Sequence, residues 1–481
     1  MEPVVRRVLD AAIAGRPWFL ATLREFVGFP SVSADPRRAG QVRACASWLA
    51  GELADAGLDE VEVIRTGGHP AVLAAWRHLP AAPTLLVYGH YDVQPAGPPA
   101  AWRSAPFEAC LRGEHLYGRG ASDDKGQLLA WVAAFRAWLA AHGRPPVNVV
   151  FLFDGEEEIG SPNLLPVLRR RRRTLAADAA AVSDTRMLGP DRPAITYGLR
   201  GSVRAEVEVR GPPVDLHSGT FGGAVPNPLQ VVAELVAGLY DERGRVRVPG
   251  FYDGVRAVPA AERAALARDG PGDAEIRRMA GVARTNGEPG YTLYERTTIR
   301  PALTVNAISG GRQGPGRSAV IPARASAAVE ARLVPDQEPA DVERRLRRHL
   351  AGAVPPAAQL RVRFAAGSRP VVVDRRHPAM RAAALAYHHA FGAPAVFLRS
   401  GGTIAPVGML GEVLDLPVVL MGFALPGDRP HAPNERAHLP TLQRGVDTCI
   451  WFLTRMGRLG PRRHPDGGFR GEPARLPPGR P

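Results

Sequence analysis

Two short apolar runs flank one long helical segment, and together they restrict the fold more than any other feature of the chain. "TLLVYGHYDV" (84–93) and "VNVVFLF" (147–153) are short, rich in β-branched residues and nearly all apolar, the pattern of buried strands. Between them, "GQLLAWVAAFRAWLAAHG" (126–143) reads as a helix stopped by glycine. The alternation continues on both sides. A helix is expected over 41–57, strands over 60–66 and 71–77, and a strand of small residues over 178–185. Towards the end come a helix over 378–392, a buried strand over 417–423 and a closing helix over 441–457. Strands alternating with helices argue for an α/β fold with a mostly parallel sheet covered by helices. Each buried run ends abruptly in charge. The second is followed by Glu156, Glu157 and Glu158, three carboxylates that repel one another unless a cation or a chemical task holds them there. A solvated helix N-terminus is the plainer explanation, since acidic residues suit the dipole.

The pattern changes near residue 202. "SVRAEVEVRG" alternates strictly, with Val203, Ala205, Val207 and Val209 on one face of a half-buried strand. A helix (227–242), two strands (302–309 and 323–335), a helix (338–352) and a strand (359–367) follow. The order βαββαβ is that of a ferredoxin-like α+β sandwich. The expected organisation is a discontinuous domain, 1–201 with 368–460, into which 202–367 is inserted; a Gly- and Arg-rich stretch, 243–300, interrupts the smaller domain in turn. The tail 461–481, rich in Pro, Gly and Arg, is expected to be disordered.

At 481 residues, two or three domains are expected. No run approaches the roughly 18 apolar residues of a membrane span, and the start, "MEPVVRRVLDAAIAGRPWFL", reads as an amphipathic helix instead of a signal peptide. No membrane partner and a cytoplasmic location are expected. Cys45, Cys110 and Cys449 match no zinc or disulfide spacing and read as small hydrophobes. The net charge of +14 raises nucleic acid as a partner, but the arginines are dispersed except for "RRRRR" at 169–173, which argues against it. Lys125 is the only lysine among 61 basic residues, which marks it as a position where arginine does not fit.

Polar clusters sit at the ends of the expected strands, where an open α/β sheet forms its site. In "GHYDVQP", His90 and Asp92 are two apart and share a face; a carboxylate beside an imidazole fixes its tautomer and strengthens it as a metal ligand. In "GRGASDDKGQ", Asp123 and Asp124 stand together just before the long helix, where adjacent carboxylates call for a cation. A phosphate loop is the alternative, because Gly118 and Gly120 precede a helix, but the acidic pair opposes it. Asp184 interrupts a run of small apolar residues, and a buried aspartate is costly unless paired or metal-bound. His431 lies in the Pro-bounded loop "GDRPHAPNE". Two histidines and several carboxylates at neighbouring strand ends suit a dinuclear site for a borderline metal, zinc first.

The motifs "GHYDVQP", "GRGASDDKG", "GEEEIGS", "SDT", "ITYGLRG", "DLHSGTFGG" and "PHAPNE" occur in this order over roughly residues 10 to 455. In this the chain resembles the dinuclear zinc metallopeptidase family of carnosine dipeptidases, glutamate carboxypeptidases and aminoacylases, with "ITYGLRG" and "DLHSG" leaning towards the dipeptidase branch. The resemblance implies two divalent ions per subunit, zinc first and manganese or cobalt as alternatives. It implies that His90 and Asp184 hold one ion, that Glu158 and His431 hold the other, and that Asp123 bridges them, with a cis peptide beside Asp123. Asp92 would orient His90, and Glu157 would be the general acid/base serving a hydroxide between the ions. Glu156 is left to a solvated or supporting role. The inserted domain resembles a dimerisation lid, which implies a homodimer. Its His217 would stabilise the oxyanion in the partner's site, and Arg332 with the "RSGGT" loop, Ser400, Gly401 and Gly402, would bind the substrate carboxylate. Relatives often carry Asn or Thr thirteen residues before that arginine; here the position is Ala319, beside Ser318. The implied activity is cleavage of dipeptides or short peptides with a free carboxylate. The alternative is hydrolysis of N-acyl amino acids, and a non-catalytic binding role is opposed by the presence of Asp123, Glu157 and His431 together.

Overall fold

The computed structural model describes residues 2–312 and 319–461. Apart from Pro461, the tail 461–481 lies outside the described residues, as does Ser318. The chain divides into two compact units. One comprises residues up to Tyr197, Val373–Leu398 and the chain from Ile404; the other comprises Gly198–Val372 with Arg399–Thr403.

The first unit is built on a mixed sheet. Counted from one edge, the first seven of its nine strands among the described residues are Glu60–Ile64, Ala71–Trp76, Asn148–Asp154, Thr84–His90, Ala179–Val182, Val418–Met421 and Ala194–Leu199. The central four, Asn148–Asp154 to Val418–Met421, run parallel. Glu60–Ile64 and Ala71–Trp76 are antiparallel, because six residues between them are too few for a crossover. Ala71–Trp76 also runs against Asn148–Asp154, and Ala194–Leu199 against Val418–Met421. All residues of Ala71–Trp76 and Asn148–Asp154 are buried, which is why both read as continuous apolar runs. The Lys125–His142 helix buries Leu128, Leu129, Trp131, Val132, Phe135 and Trp138 and ends at Gly143, whose φ of 71° is left-handed. It packs on the Leu439–Gly457 helix, which packs in turn on Pro378–Phe391.

The expected single N-terminal helix is two, Pro3–Ala14 and Arg16–Gly28. Pro17 has no N–H to continue the first helix, and its ring would meet a carbonyl four residues back; in the first turn of a new helix neither matters. Among the described residues no helix is long and apolar enough to cross a membrane.

The second unit carries a four-stranded antiparallel sheet in the order Ala302–Gly310, Arg324–Leu333, Gly201–Arg210, Gln359–Phe364. Counted along the chain and read from the other edge this is 4-1-3-2, the ferredoxin-like arrangement. The helices Pro228–Ala237 and Pro339–Ala353 pack against the sheet. Val203, Ala205, Val207 and Val209 all enter the core beneath them, as their alternation predicts. The 243–300 stretch forms the helices Ala260–Asp269, Asp273–Ala280 and Leu293–Thr298, the last opened by a Thr292/Glu295 capping box.

Candidate metal centre

The parallel strands of the first unit end together. His90 closes one strand directly opposite Asp154, which closes its neighbour, and Glu156–Glu158 follow two residues later. Asp184 follows Ala179–Val182, and Asp123 and Asp124 precede the Lys125–His142 helix. The carboxylates and imidazoles therefore gather at the carboxyl edge of the sheet.

They fall into two triads, His90/Glu157/Asp184 and Asp123/Glu158/His431; within each, one ligand-type atom per residue lies within 4.8 Å of the others. Asp123 faces both. Its Oδ1 is 3.1 Å from His90 Nε2 and its Oδ2 is 2.9 Å from His431 Nε2. His90 Nε2 is 4.0 Å from Asp184 Oδ2, and His431 Nε2 is 3.2 Å from Glu158 Oε2. His90 is fully buried, with Nδ1 3.0 Å from the Asp92 carbonyl and 3.3 Å from Asp92 Oδ1. Asp92 in turn accepts from the amides of Glu157 and Glu158, one oxygen each at 3.1 Å, so one carboxylate orients the histidine and the acidic turn together. Gln94 Nε2 donates to Glu158 Oε2 at 2.9 Å.

The electrostatics are those of a site short of positive charge. Burial pushes the Glu157 pKa up to about 8, helped by Glu158, Asp92 and Asp123. Burial and then Asp123 hold Asp184 well above the carboxylate range. Burial opposes the charging of His90, but Asp123, Asp92, Asp184 and Glu157 outweigh it and raise its pKa well above the usual value. Asp123 and then Glu158 push His431, the most exposed member, up to about 10. Asp123 itself is lowered, burial being outweighed by the two histidines. Four carboxylates and two imidazoles, all oxygen and nitrogen donors in two adjoining triads, fit a pair of divalent cations.

This gives a prediction for the metal-free protein. Glu157, His90 and His431 bind protons more tightly folded than unfolded, so their stabilising contribution is complete at low pH and is lost as pH rises through the folded values. The Tm of chelator-stripped protein should fall from about pH 5 to pH 9, on the order of 5 °C. Divalent metal should abolish that slope, because it binds the deprotonated ligands. A stripped protein whose Tm is flat or rises over the interval contradicts this charge arrangement.

Supporting residues surround the triads, and of these Asp154, Glu435 and Arg119 carried no signal strong enough to find in sequence. Glu156, expected to be solvated or supporting, is buried; its Oε1 accepts from the His69 amide at 2.9 Å and both oxygens accept from Asn163 Nδ2. Asp154 accepts from Ser161 Oγ at 2.6 Å, and Glu435 and Arg119 form a buried ion pair at 2.6 Å. The Asp123–Asp124 peptide is cis. Lys125 is buried, and its Nζ donates to the carbonyls of Phe26 and Phe29, each at 2.8 Å, at the C-terminus of Arg16–Gly28. A guanidinium there would bring five donors to two acceptors, which explains why the position stands apart from the arginine-rich remainder.

The other expected residues belong to the second unit. His217 is exposed, its Nδ1 accepting from the Gly219 amide at 3.0 Å. Arg332 is the penultimate residue of its strand and reaches Thr403 Oγ1 at 2.8 Å and Glu330 Oε1 at 3.1 Å. The Ser400–Gly402 turn is held by Arg200, whose Nε donates to the Gly401 carbonyl at 2.9 Å and whose amide donates to that of Gly402 at 3.1 Å. Arg200 was not singled out in sequence. Burial and then the neighbouring Arg332 lower its pKa to about 10. Ala319 offers its carbonyl to the Ser218 amide at 2.8 Å.

The chain is similar to known proteins over most of its length. The model of peptidase family M20/M25/M40 matches residues 86–454. The Cys-Gly metallodipeptidase DUG1 of Candida albicans is 28% identical over 462 residues, covering 92% of this chain and 95% of that protein. The human Beta-Ala-His dipeptidase is 31% identical over 395 residues, covering 81% and 78%. The crystal structure of human carnosine dipeptidase 1 superposes with a TM-score of 0.85 at 28% identity, covering 95% of this chain and 99% of that one. A sheet that ends in two donor triads, matched across nearly its whole length, makes this chain a metal-dependent peptidase, and it belongs to peptidase family M20/M25/M40.

Proposed function

We propose that this chain is a dinuclear metallodipeptidase that cleaves dipeptides or short peptides bearing a free carboxylate. The observation that carries the reading is Asp123, whose two oxygens each face a different histidine and so join two triads into one centre. In this reading His90 and Asp184 hold one divalent ion, Glu158 and His431 the other, and Asp123 both; zinc suits the mixed nitrogen and oxygen donors, with manganese and cobalt as alternatives. The chemistry the ions supply when bound is polarisation of the scissile carbonyl and acidification of water. Glu157, its amide fixed by Asp92, accepts the water proton at its carboxylate and delivers it to the leaving amine. Arg332 and Arg200, with the Ser400–Gly402 turn, are the donors for the substrate carboxylate, where a planar guanidinium can bind bidentately. His217 serves the oxyanion in the partner's site.

A homodimer through the second unit is part of the proposal. Ala302–Gly310 is an edge strand with no charged residue, and its Ile308 is 51% exposed. Light scattering should report twice the 51.4 kDa chain mass, and Ile308→Lys should shift the population towards monomer. A monomeric parent removes the role given to His217. The three cysteines are free, which suits a reducing compartment such as the cytoplasm.

A second reading is N-acyl amino acid hydrolysis, for which Ala319 offers only a methyl group at a position where the family resemblance often implies Asn or Thr. Metal-loaded protein should be given a dipeptide library and a set of N-acyl amino acids, with products read by mass spectrometry. Dipeptide cleavage is the expected result. Cleavage of the acyl compounds alone moves the enzyme to the deacylase reading.

A further inference from the structure

We propose that Glu435 is a positioning residue for the metal centre, setting Asp123 and His431 in register by clamping both of their loops with one buried carboxylate. The inference rests on the dinuclear reading above but concerns a residue that reading does not use. Glu435 is fully buried four residues after His431. Its Oε2 accepts from Arg119 Nη1 at 2.6 Å and from the Gly120 amide at 3.0 Å. Its Oε1 accepts from the Ser122 and Asp123 amides, both at 3.1 Å. The Glu435 carbonyl accepts from the Gly118 amide at 3.0 Å. A single residue thus fixes the backbone from 118 to 123, the last position being the aspartate shared by both triads.

Arg119 extends the clamp to the remaining members of the second triad. Its Nη2 reaches the Ala432 carbonyl, next to His431, at 3.4 Å and the Pro95 carbonyl at 3.3 Å; Pro95 follows Gln94, which donates to Glu158. The His431 loop needs such a hold. Arg429, His431 and Asn434 all have φ between 60° and 62°, in the left-handed region that side chains disfavour. Asp428 pins the start of the same loop, taking Ser122 Oγ at 2.9 Å and the Leu425 amide at 2.7 Å.

The chemistry requires a carboxylate of this length. Four N–H groups converge, two on each oxygen, and only an acceptor-only group satisfies all of them. Glutamine would point an NH₂ at two donors. Aspartate keeps the charge for Arg119 but, one methylene shorter, cannot span to the amides on the far side.

The test reads metal binding by the full chain, not turnover alone. Chelator-stripped parent, Glu435→Gln and Glu435→Asp proteins are titrated with Zn²⁺ against a chromophoric chelator, below the Tm of each metal-free protein. The parent should bind two ions. Both variants should bind at least one ion 10- to 100-fold more weakly, the range typical of residues that hold metal ligands in place. Zn²⁺ constants within twofold of the parent in a folded Glu435→Gln protein overturn the proposal, even if its Tm is lowered, because the residue then serves only the fold. Should Glu435→Gln not fold, Glu435→Asp decides: parent-like affinity there means that the ion pair with Arg119 is all that matters. A parent that binds fewer than two ions is a failure of the dinuclear reading instead, and is seen before any variant is compared.

Discussion

Glu157→Gln should remove turnover and leave the metal in place. Glutamine has nearly the same shape, and the backbone of residue 157 stays fixed by the hydrogen bond from its amide to Asp92 Oδ1. What is lost is the ability to take a proton from water and return it to a leaving amine, a contribution of about 10²–10⁴ in rate. A fall in kcat on the order of 10³ at saturating metal is expected, with KM changed little, because the residue acts on the proton in flight and not on bound substrate. The geometry makes the metal content a real question. The Glu157 carboxylate shares a triad with His90 and Asp184, close enough to serve as a ligand itself. Elemental analysis of the purified variant separates the two roles. Two retained ions with lost turnover support the acid/base assignment; loss of one ion makes Glu157 a ligand; and activity within tenfold of the parent removes it from the mechanism.

Why Glu157 was legible in sequence and Glu435 was not is a matter of where each sits. Glu157 belongs to a run of three acids following an apolar strand, a conflict visible without any structure. His90, Asp123 and Asp184 stand out for the same reason, as charges at the ends of segments that are otherwise buried. Glu435 has no such contrast. It lies in a polar loop, and its significance comes from four donors on a segment more than 300 residues away. Arg200 is similar, since its turn partners Gly401 and Gly402 are about 200 residues distant. The fold divides in the same way. Periodicity located the central parallel strands and the helix after Asp123, because local burial shapes the residue pattern. At the sheet's flanks the strands run antiparallel, which periodicity does not report. Glu60–Ile64 and Ala71–Trp76 look like any other strands in the sequence, and only the six residues between them dictate an antiparallel pair. The break at Gly15 was hidden because the amphipathic pattern runs across it.

Asp123→Asn should be the more destructive change at the centre, and for a different reason from Glu157→Gln. Asparagine keeps one oxygen and replaces the other with an NH₂ group. Whichever way the amide turns, the NH₂ faces either His90, whose Nε2 is 3.1 Å from Oδ1, or His431, whose Nε2 is 2.9 Å from Oδ2. That side loses both an acceptor and a negative charge, and the remaining imidazole and carboxylate must hold a divalent ion with one ligand fewer. Elemental analysis should find one ion or fewer per chain, and kcat/KM should fall by at least about 10³-fold, or roughly 4 kcal/mol of transition-state stabilisation. Excess Zn²⁺ should restore little of it, because the defect is in the donor set and not in the supply of metal. The pairing of the two variants is what gives the assignment its force. If the two triads are joined through Asp123, activity is lost with the metal in Asp123→Asn and without loss of metal in Glu157→Gln. An Asp123→Asn protein that keeps two ions at parent affinity would mean that each triad holds its ion independently, and the shared carboxylate would have to be abandoned.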